Sequence, residues 1–348
     1  MRVVLAERIR RGEPSKLKEL EALARTMGYE VVGKLTQVRE PDPAYQIGEG
    51  KARELRRLVK AVKAQRVIFA NELSPSQAYN LAKIIGNEVI DRIQLILEIF
   101  AMRAGSPEAK LQVEYARLRY ELPRIRERIR YGLSVEQPGL KGGGEYEVDV
   151  QYDAIKRRLA TLRKKLASIS VRRMQLRKHR KRRGFKLVAL AGYTNSGKST
   201  LLNALTAGGA KVDNMYFTTL TPRTRIVKKC TKILLTDTVG FIDNLPPWMI
   251  EAFKATLEEI YLADLVLVVL DGSEPIPEIL RKYKVVSEVL KEYGVKTVIV
   301  LNKRDLMSTA EIREKLKLLN GFSAPVLAVS ALRGDNLESL IETIRGYA

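Results

Sequence analysis

Residues 192–199 read Gly192-Tyr193-Thr194-Asn195-Ser196-Gly197-Lys198-Ser199 and fit the pattern G-x-x-x-x-G-K-[ST]. The apolar run Leu187–Ala191 before it reads as a strand, and a helix is predicted from about residue 199 to 206. In that setting the loop curls main-chain N–H groups around phosphates, and the helix N-terminus adds favourable partial charge. Lys198 would reach the β- and γ-phosphates, the Ser199 hydroxyl would bind Mg2+, and Thr200 completes the cradle.

A second motif names the base. Asn302-Lys303-Arg304-Asp305 follows the predicted strand Thr297–Leu301. The Asp305 carboxylate can accept from both N1–H and the exocyclic amino group of guanine. Adenine offers no such donor pair, so the preference is for guanine. Asn302 would bond the base and the phosphate loop, and the Lys303 stem would cover the ring face. Ser330-Ala331-Leu332 would complete the pocket, with the Ala331 N–H directed at the guanine oxygen.

Two further segments complete a switch. In Asp237-Thr238-Val239-Gly240, Asp237 would hold Mg2+ through water and the Gly240 N–H would sense the γ-phosphate. In Phe217-Thr218-Thr219-Leu220-Thr221-Pro222, a threonine hydroxyl would join Mg2+ only when the γ-phosphate is present. Thr219 is the expected ligand and Thr218 the alternative. Lys198, Thr219 and Gly240 are therefore expected to act on the reacting phosphate, with GTP or GDP and Mg2+ as the implied ligands. Phe241 stands where many switch GTPases carry a glutamine that orients water, so unassisted turnover should be slow. Asn195 resembles the asparagine of potassium-activated GTPases, which makes K+ a candidate activator; it equally suits a tight turn.

These motifs need elements to hold them. From Phe185 onward, strands are predicted at Lys186–Ala191, Lys232–Leu235, Leu265–Leu270, Thr297–Leu301 and Pro325–Val329. Helices are predicted at about 199–206, 249–261, 277–293, 309–319 and 335–346, which implies a doubly wound, mostly parallel sheet covered on both faces. The first hundred residues alternate strands (Val3–Ala6, Glu30–Leu35, Arg66–Ala70, Glu88–Ile90) with helices (Ser15–Met27, Lys51–Ala64, Ser74–Ile85, Ile93–Met102), a small parallel α/β layer. Ser74-Pro75 reads as an N-cap with proline at the first helical position. Between these parts, Glu108–Arg130, with Pro123 a predicted kink, and Asp153–Arg183 read as two helices. In the second, Ile155, Leu159, Leu162, Leu166, Ile169, Arg173 and Leu176 follow a heptad-like rhythm, which suggests an antiparallel coiled-coil hairpin. Its loop, Pro138–Gly144, is glycine-rich, either for flexibility or for close approach to a phosphate. The division expected is 1–105, an N-terminal α/β subdomain; 106–183, the helical hairpin; and 184–348, the GTPase domain.

Composition narrows the setting. Apolar runs such as Leu265–Leu270 are too short to cross a bilayer, so no stable membrane insertion is expected. The first residues lack the apolar core of a secretion signal. One cysteine, Cys230, excludes an intramolecular disulfide, and with one histidine, His179, it argues against a zinc site. The expected location is cytoplasmic and the expected state a monomer. The net charge is +22, and residues 155–183 carry 14 basic residues and no acidic one. Such a segment is either a solvated helix face or a nucleic-acid contact that releases counterions.

The chain is similar in sequence to the HflX family. The similarity lies in Asn71-Glu72-Leu73-Ser74-Pro75-Ser76-Gln77, Val89-Ile90-Asp91-Arg92, Leu97–Ala104, Lys110–Glu114, Gly142–Glu145 and Phe217–Arg225. That resemblance implies an N-terminal α/β subdomain, a coiled-coil hairpin and a six-stranded GTPase domain. It also implies the large ribosomal subunit and its RNA as partner, with splitting or rescue of stalled ribosomes as the task. The hairpin tip departs from the family's G-P-G-E-T-Q, reading Gly142-Gly143-Gly144-Glu145-Tyr146-Glu147. Tyr45–Lys51 matches the family's glycine-rich start but lacks a G-K-[ST] ending, and is read as structural rather than as an ATP site. The rival reading is a GTP-regulated protein that binds or remodels RNA other than the ribosome; a metabolic regulator that binds a protein partner is a third.

Overall fold

The structure is a computed structural model. It describes the chain apart from residues 133–142, 208–222, 239, 244–245, 247, 250–259, 292–293, 323 and 348, and for 126–149 no side chain is described. The chain divides into two compact units, one of residues 1–102 with 110–165 and the other of 103–109 with 166–348.

The first unit is built on four parallel strands, β1 (Arg2–Ile9), β2 (Glu30–Val38), β3 (Arg66–Phe69) and β4 (Glu88–Asp91), in the order β2-β1-β3-β4. Helices α1 (Leu17–Thr26), α2 (Glu49–Ala61), α3 (Pro75–Ile85) and α4 (Arg92–Arg103) alternate with them. β1 is buried from Val3 to Glu7, as a strand covered on both faces must be. Its Val4 and Ala6 join Leu55, Val59, Phe69 and Leu81 in one core. Ser74 caps α3: its hydroxyl accepts the Gln77 N–H, and the Gln77 side chain accepts the Ser74 N–H. The Tyr45–Lys51 segment is absorbed into this fold, with Ile47 fully buried and Gly48 N–H donating to Gln37 Oε1 at 2.8 Å.

Two long helices follow, α5 (Pro107–Gly132) and α6 (Gly143–Arg182). α5 continues through Pro123, and α6 begins ten residues before the predicted start at Asp153. Residues 143–147 therefore belong to a helix, while Pro138–Gly142 lie outside the described residues. The heptad positions of α6 are buried or half-buried from Ile155 through Ile169 to Arg173, and the pattern fails at Leu176, which is exposed. Leu159 and Leu162 are buried, and the Arg158–Glu114 ion pair at 2.7 Å links α6 to α5 within the first unit. In the second unit the heptad position held by Arg173 is satisfied by Glu108 at 2.6 Å. All basic residues of 155–183 except Arg173 and Arg177 are exposed.

The second unit carries a six-stranded sheet ordered β10-β9-β8-β5-β7-β6. Its strands are β5 (Lys186–Ala191), β6 (Arg223–Ile226), β7 (Ile233–Asp237), β8 (Leu265–Asp271), β9 (Thr297–Asn302) and β10 (Val326–Ala328). Helices α7 (Lys198–Leu205), α8 (Ile276–Lys291), α9 (Thr309–Leu319) and α10 (Leu337–Tyr347) accompany them. Val188 and Leu190 of β5 join the core with Leu201, Leu205 and Leu340. Ala189 and Ala191 join the opposite core with Ile279 and Val286. The strand is buried continuously from Val188 while alternate residues enter opposite cores, as in a sheet sandwiched between helices. The sixth strand, β6, pairs antiparallel with β7 and lies outside the five strands read from apolar runs. Its Arg-Thr-Arg-Ile sequence has no apolar run to betray it, because an edge strand needs none. Among the described residues no helix is long and apolar enough to cross a membrane.

Candidate functional site

In an open parallel sheet, ligands bind at the carboxyl ends of the strands, where the chain reverses its winding direction. Here that point lies between β5 and β8, which pair parallel while the next strand in sequence to join β5, β7, pairs on its other side. The loop 192–197 leaves β5 there and opens α7 at Lys198. Gly197 has φ 91, and a Cβ on it would lie 2.1 Å from Asn302 Nδ2, so no larger residue fits. Asn195 has φ 65, a left-handed conformation that asparagine tolerates and that the turn reading anticipates.

Lys198 is buried, and its Nζ donates to the carbonyls of Gly192 at 3.0 Å and Tyr193 at 2.7 Å. Burial pushes its ammonium down to about 8, with Asp237 opposing the shift. The cation thus turns back on its own loop, and a phosphate placed there would compete for it. Ser196 Oγ is buried with no hydrogen-bond partner among the described residues, a polar group that a ligand could satisfy. Ser199 Oγ donates to Asp237 Oδ2 at 2.6 Å, and Asp237 is fully buried at the end of β7. Two oxygens this close, one from a carboxylate, fit a hard divalent cation such as Mg2+. The Thr238 hydroxyl, within the segment read above as part of the nucleotide site, is spent on the Leu190 carbonyl at 2.7 Å.

The residues expected from the sequence to read the base gather across the switch point. Asn302 Nδ2 donates to Ser196 O at 2.9 Å, which joins the end of β9 to the phosphate loop. The Ala331 N–H, read above as a donor to guanine, donates in this structure to Asn302 Oδ1 at 3.0 Å. The buried Ser330 hydroxyl donates to Asp305 Oδ1 at 2.5 Å and aligns that carboxylate. Lys303, at φ 63, pairs its Nζ with Asp271 Oδ2 at 2.6 Å. Leu332 is 78% exposed, so it forms rim rather than wall.

Sequence reasoning missed three residues here. Asp271 closes β8 in register with Asn302, and a carboxylate at the end of a buried strand beside the motif was the signal for it. Asp243 and Arg281 meet at the Tyr193 hydroxyl, and nothing local in the sequence joins them. Phe217, Thr218, Thr219 and Val239 lie outside the described residues. Gly240 and Phe241 lie against the phosphate loop, with Phe241 bridged to Tyr193 in parallel.

Comparison with known proteins places this geometry. Residues 187–303 match a family model described as 50S ribosome-binding GTPase. Residues 14–101 match one described as GTP-binding GTPase N-terminal, and 103–180 one described as GTP-binding GTPase middle region. The GTPase HflX of Thermococcus kodakarensis is 48% identical over 99% of this chain and 80% of its own length. That of Methanocaldococcus jannaschii is 45% identical over 94% of this chain and 82% of its own. Among solved structures, a GTP-binding protein from Sulfolobus solfataricus in complex with GDP aligns at 29% identity, TM-score 0.55, over 99% of this chain and 98% of that one. A complex of SsGBP with GDP aligns over the same shares and at the same identity, with a TM-score of 0.61. A phosphate loop tied by hydrogen bond to the Asn302–Asp305 motif, and identity this high over nearly the full length, make the chain a GTPase of the HflX family.

Proposed function

We propose that the chain is a nucleotide-controlled factor that docks on the large ribosomal subunit through its basic helix and whose GTPase site times its residence there. The observation that carries this reading is one of connection. The exposed basic segment 155–183 ends α6, and three residues later β5 begins and leads directly into the phosphate loop. The helix that would meet RNA is thus joined by three residues to the strand that carries the nucleotide site. The family model described as 50S ribosome-binding GTPase supports the choice of partner. The three parts 1–105, 106–183 and 184–348 then serve as α/β subdomain, RNA-directed hairpin and GTPase domain.

In this reading Lys198 and the loop amides neutralise phosphate charge, and Asn302, Asp305, Ser330 and Ala331 select guanine. Ser199, Asp237 and Thr219 would hold Mg2+, which supplies charge stabilisation at the phosphates. Gly192–Thr200, Phe217–Thr219, Asp237–Gly240 and Lys303 would contact the nucleotide, with Leu332 at the rim. Phe241 has no group with which to orient water, so the chain depends on an added charge or a partner for fast turnover. K+ near Asn195 is the candidate charge. Splitting or rescue of stalled ribosomes is the cellular task this arrangement suits. Its place of action is the cytoplasm, and it acts as a monomer.

The test is a charge reversal at Lys178, Arg180, Lys181 and Arg182. Every RNA phosphate that the helix ceases to neutralise lowers the slope of log affinity against log salt by about 0.7 to 0.9. A fall of about two or more in that slope on large subunits supports the reading. An unchanged slope and affinity would refute docking through this helix.

A further inference from the structure

We propose that Tyr193, Asp243 and Arg281 form a latch that holds Gly240–Asp243 shut on the phosphate loop until a γ-phosphate forces it open. The proposal rests on reading residues 192–199 as a GTP site and concerns which nucleotide that site prefers.

Three elements converge on one carboxylate oxygen. Tyr193 Oη, on the phosphate loop, donates to Asp243 Oδ1 at 2.7 Å. Arg281 Nη1, on α8, donates to the same oxygen at 2.7 Å. Glu278 anchors the guanidinium from one turn earlier, through Nε at 3.1 Å and Nη2 at 2.8 Å. Arg281 and Lys282 also lie 5.9 and 5.3 Å from the centre of the Tyr193 ring, within cation–π range. Burial pushes the Asp243 carboxyl upward, but the bonds from Arg281 and Tyr193 outweigh it and hold the group below its usual range. The carboxylate therefore stays charged throughout the range in which a free aspartate is charged.

The backbone beneath the latch is zipped to the phosphate loop. The Phe241 N–H donates to Gly192 O at 3.0 Å, and the Thr194 N–H donates to Phe241 O at 2.9 Å. This brings Gly240 so close that a Cβ on it would lie 2.9 Å from Lys198 Nζ and 2.8 Å from Thr194 Cγ2. A γ-phosphate must sit between that ammonium and the Gly240 N–H, with each donor roughly 2.8 Å from a phosphate oxygen. The gap seen here does not hold a phosphoryl group. GTP must break the Phe241 bridge to bind fully, whereas GDP need not. The latch stabilises the zipped state, so it penalises GTP relative to GDP and gives α8 a direct hold on the switch.

The experiment compares wild type with Arg281→Ala and Tyr193→Phe, titrating fluorescent GDP and a fluorescent non-hydrolysable GTP analogue. Amide hydrogen exchange at Phe241 is followed in the GDP state. In Arg281→Ala, affinity for the analogue relative to GDP is expected to rise roughly five- to tenfold, the effect of one partly exposed charged hydrogen bond. GDP affinity should stay within about twofold. Tyr193→Phe should move the ratio the same way by a smaller factor. Phe241 should exchange faster in both variants. An unchanged ratio with unchanged Phe241 protection overturns the latch while the nucleotide reading stands. A wild-type chain that binds neither nucleotide overturns both.

Discussion

Asn302 and Ser196 are 106 positions apart, yet the side-chain amide of one donates to the main-chain carbonyl of the other at 2.9 Å. The opposite end of that amide accepts the Ala331 N–H, so a single side chain ties the candidate base pocket to the phosphate loop. Replacement by alanine leaves a buried carbonyl and a buried N–H without partners, each costing about 1–3 kcal/mol. Asn302→Ala should therefore destabilise the fold by about 2–6 kcal/mol in denaturant unfolding and, by releasing the loop from the base-side residues, weaken GDP binding by about tenfold or more in a fluorescence titration. A loss below about threefold would contradict this role.

Base choice should follow Asp305. Asp305→Asn replaces an acceptor pair by one donor and one acceptor, which suits a base with a carbonyl where guanine has its amino group. The variant should lose GTP and gain xanthosine triphosphate as substrate. Competition of each nucleotide against labelled GDP checks this; unchanged preference would mean Asp305 does not read the base.

Nucleotide affinity should depend on pH through Lys198. Burial brings the ammonium of the nucleotide-free protein to about 8, and an adjacent phosphate would raise it by favouring the cation. Below pH 8 the cation is present with or without ligand, and affinity is flat. Above pH 8 binding must take up a proton, and affinity falls by up to about tenfold per pH unit. Calorimetry at pH 8.5 in buffers of different ionisation enthalpy should register that uptake. By the same linkage, the empty fold gains stability from this group between pH 8 and 10.5, where the unfolded chain still holds the proton.

Turnover should respond to the monovalent ion. Phe241 offers no hydrogen bond to water, so K+ at Asn195 would replace the missing stabilisation. Phosphate release is expected to be about tenfold or more faster in K+ than in Na+, a barrier change of about 1.4 kcal/mol. Equal rates would remove Asn195 as an ion ligand and leave only its turn-forming role at φ 65.

Stability of the helical region should rest on its buried stripe. Leu162 is fully buried on α6, and Leu162→Ala should cost about 2–5 kcal/mol in denaturant unfolding. The exposed Leu176 falls on the same rhythm, and truncating it should cost no more than about 0.5 kcal/mol.

Much of the candidate site's geometry was legible because its residues are local in sequence. Gly197, Lys198 and Ser199 are adjacent, and the bond from Asn302 to Ser196 follows from two strands that end at one edge of the sheet. The parallel core was legible for the same reason, since strands buried on both faces are continuous apolar runs. β6 was not, because an edge strand is free to be charged. The start of α6 was placed too late because glycines at 143 and 144 read as loop, although the helix begins with them. Asp243 and Arg281 escaped because their meeting depends on how α8 packs, which no spacing within either segment encodes.

The most direct test of the central claim is co-sedimentation with purified ribosomal subunits, comparing GDP with a non-hydrolysable GTP analogue across a salt series. The account predicts retention on the large subunit that needs the analogue and weakens steeply with salt. Equal retention in both nucleotide states, or firm binding to free structured RNA with none to subunits, would contradict it.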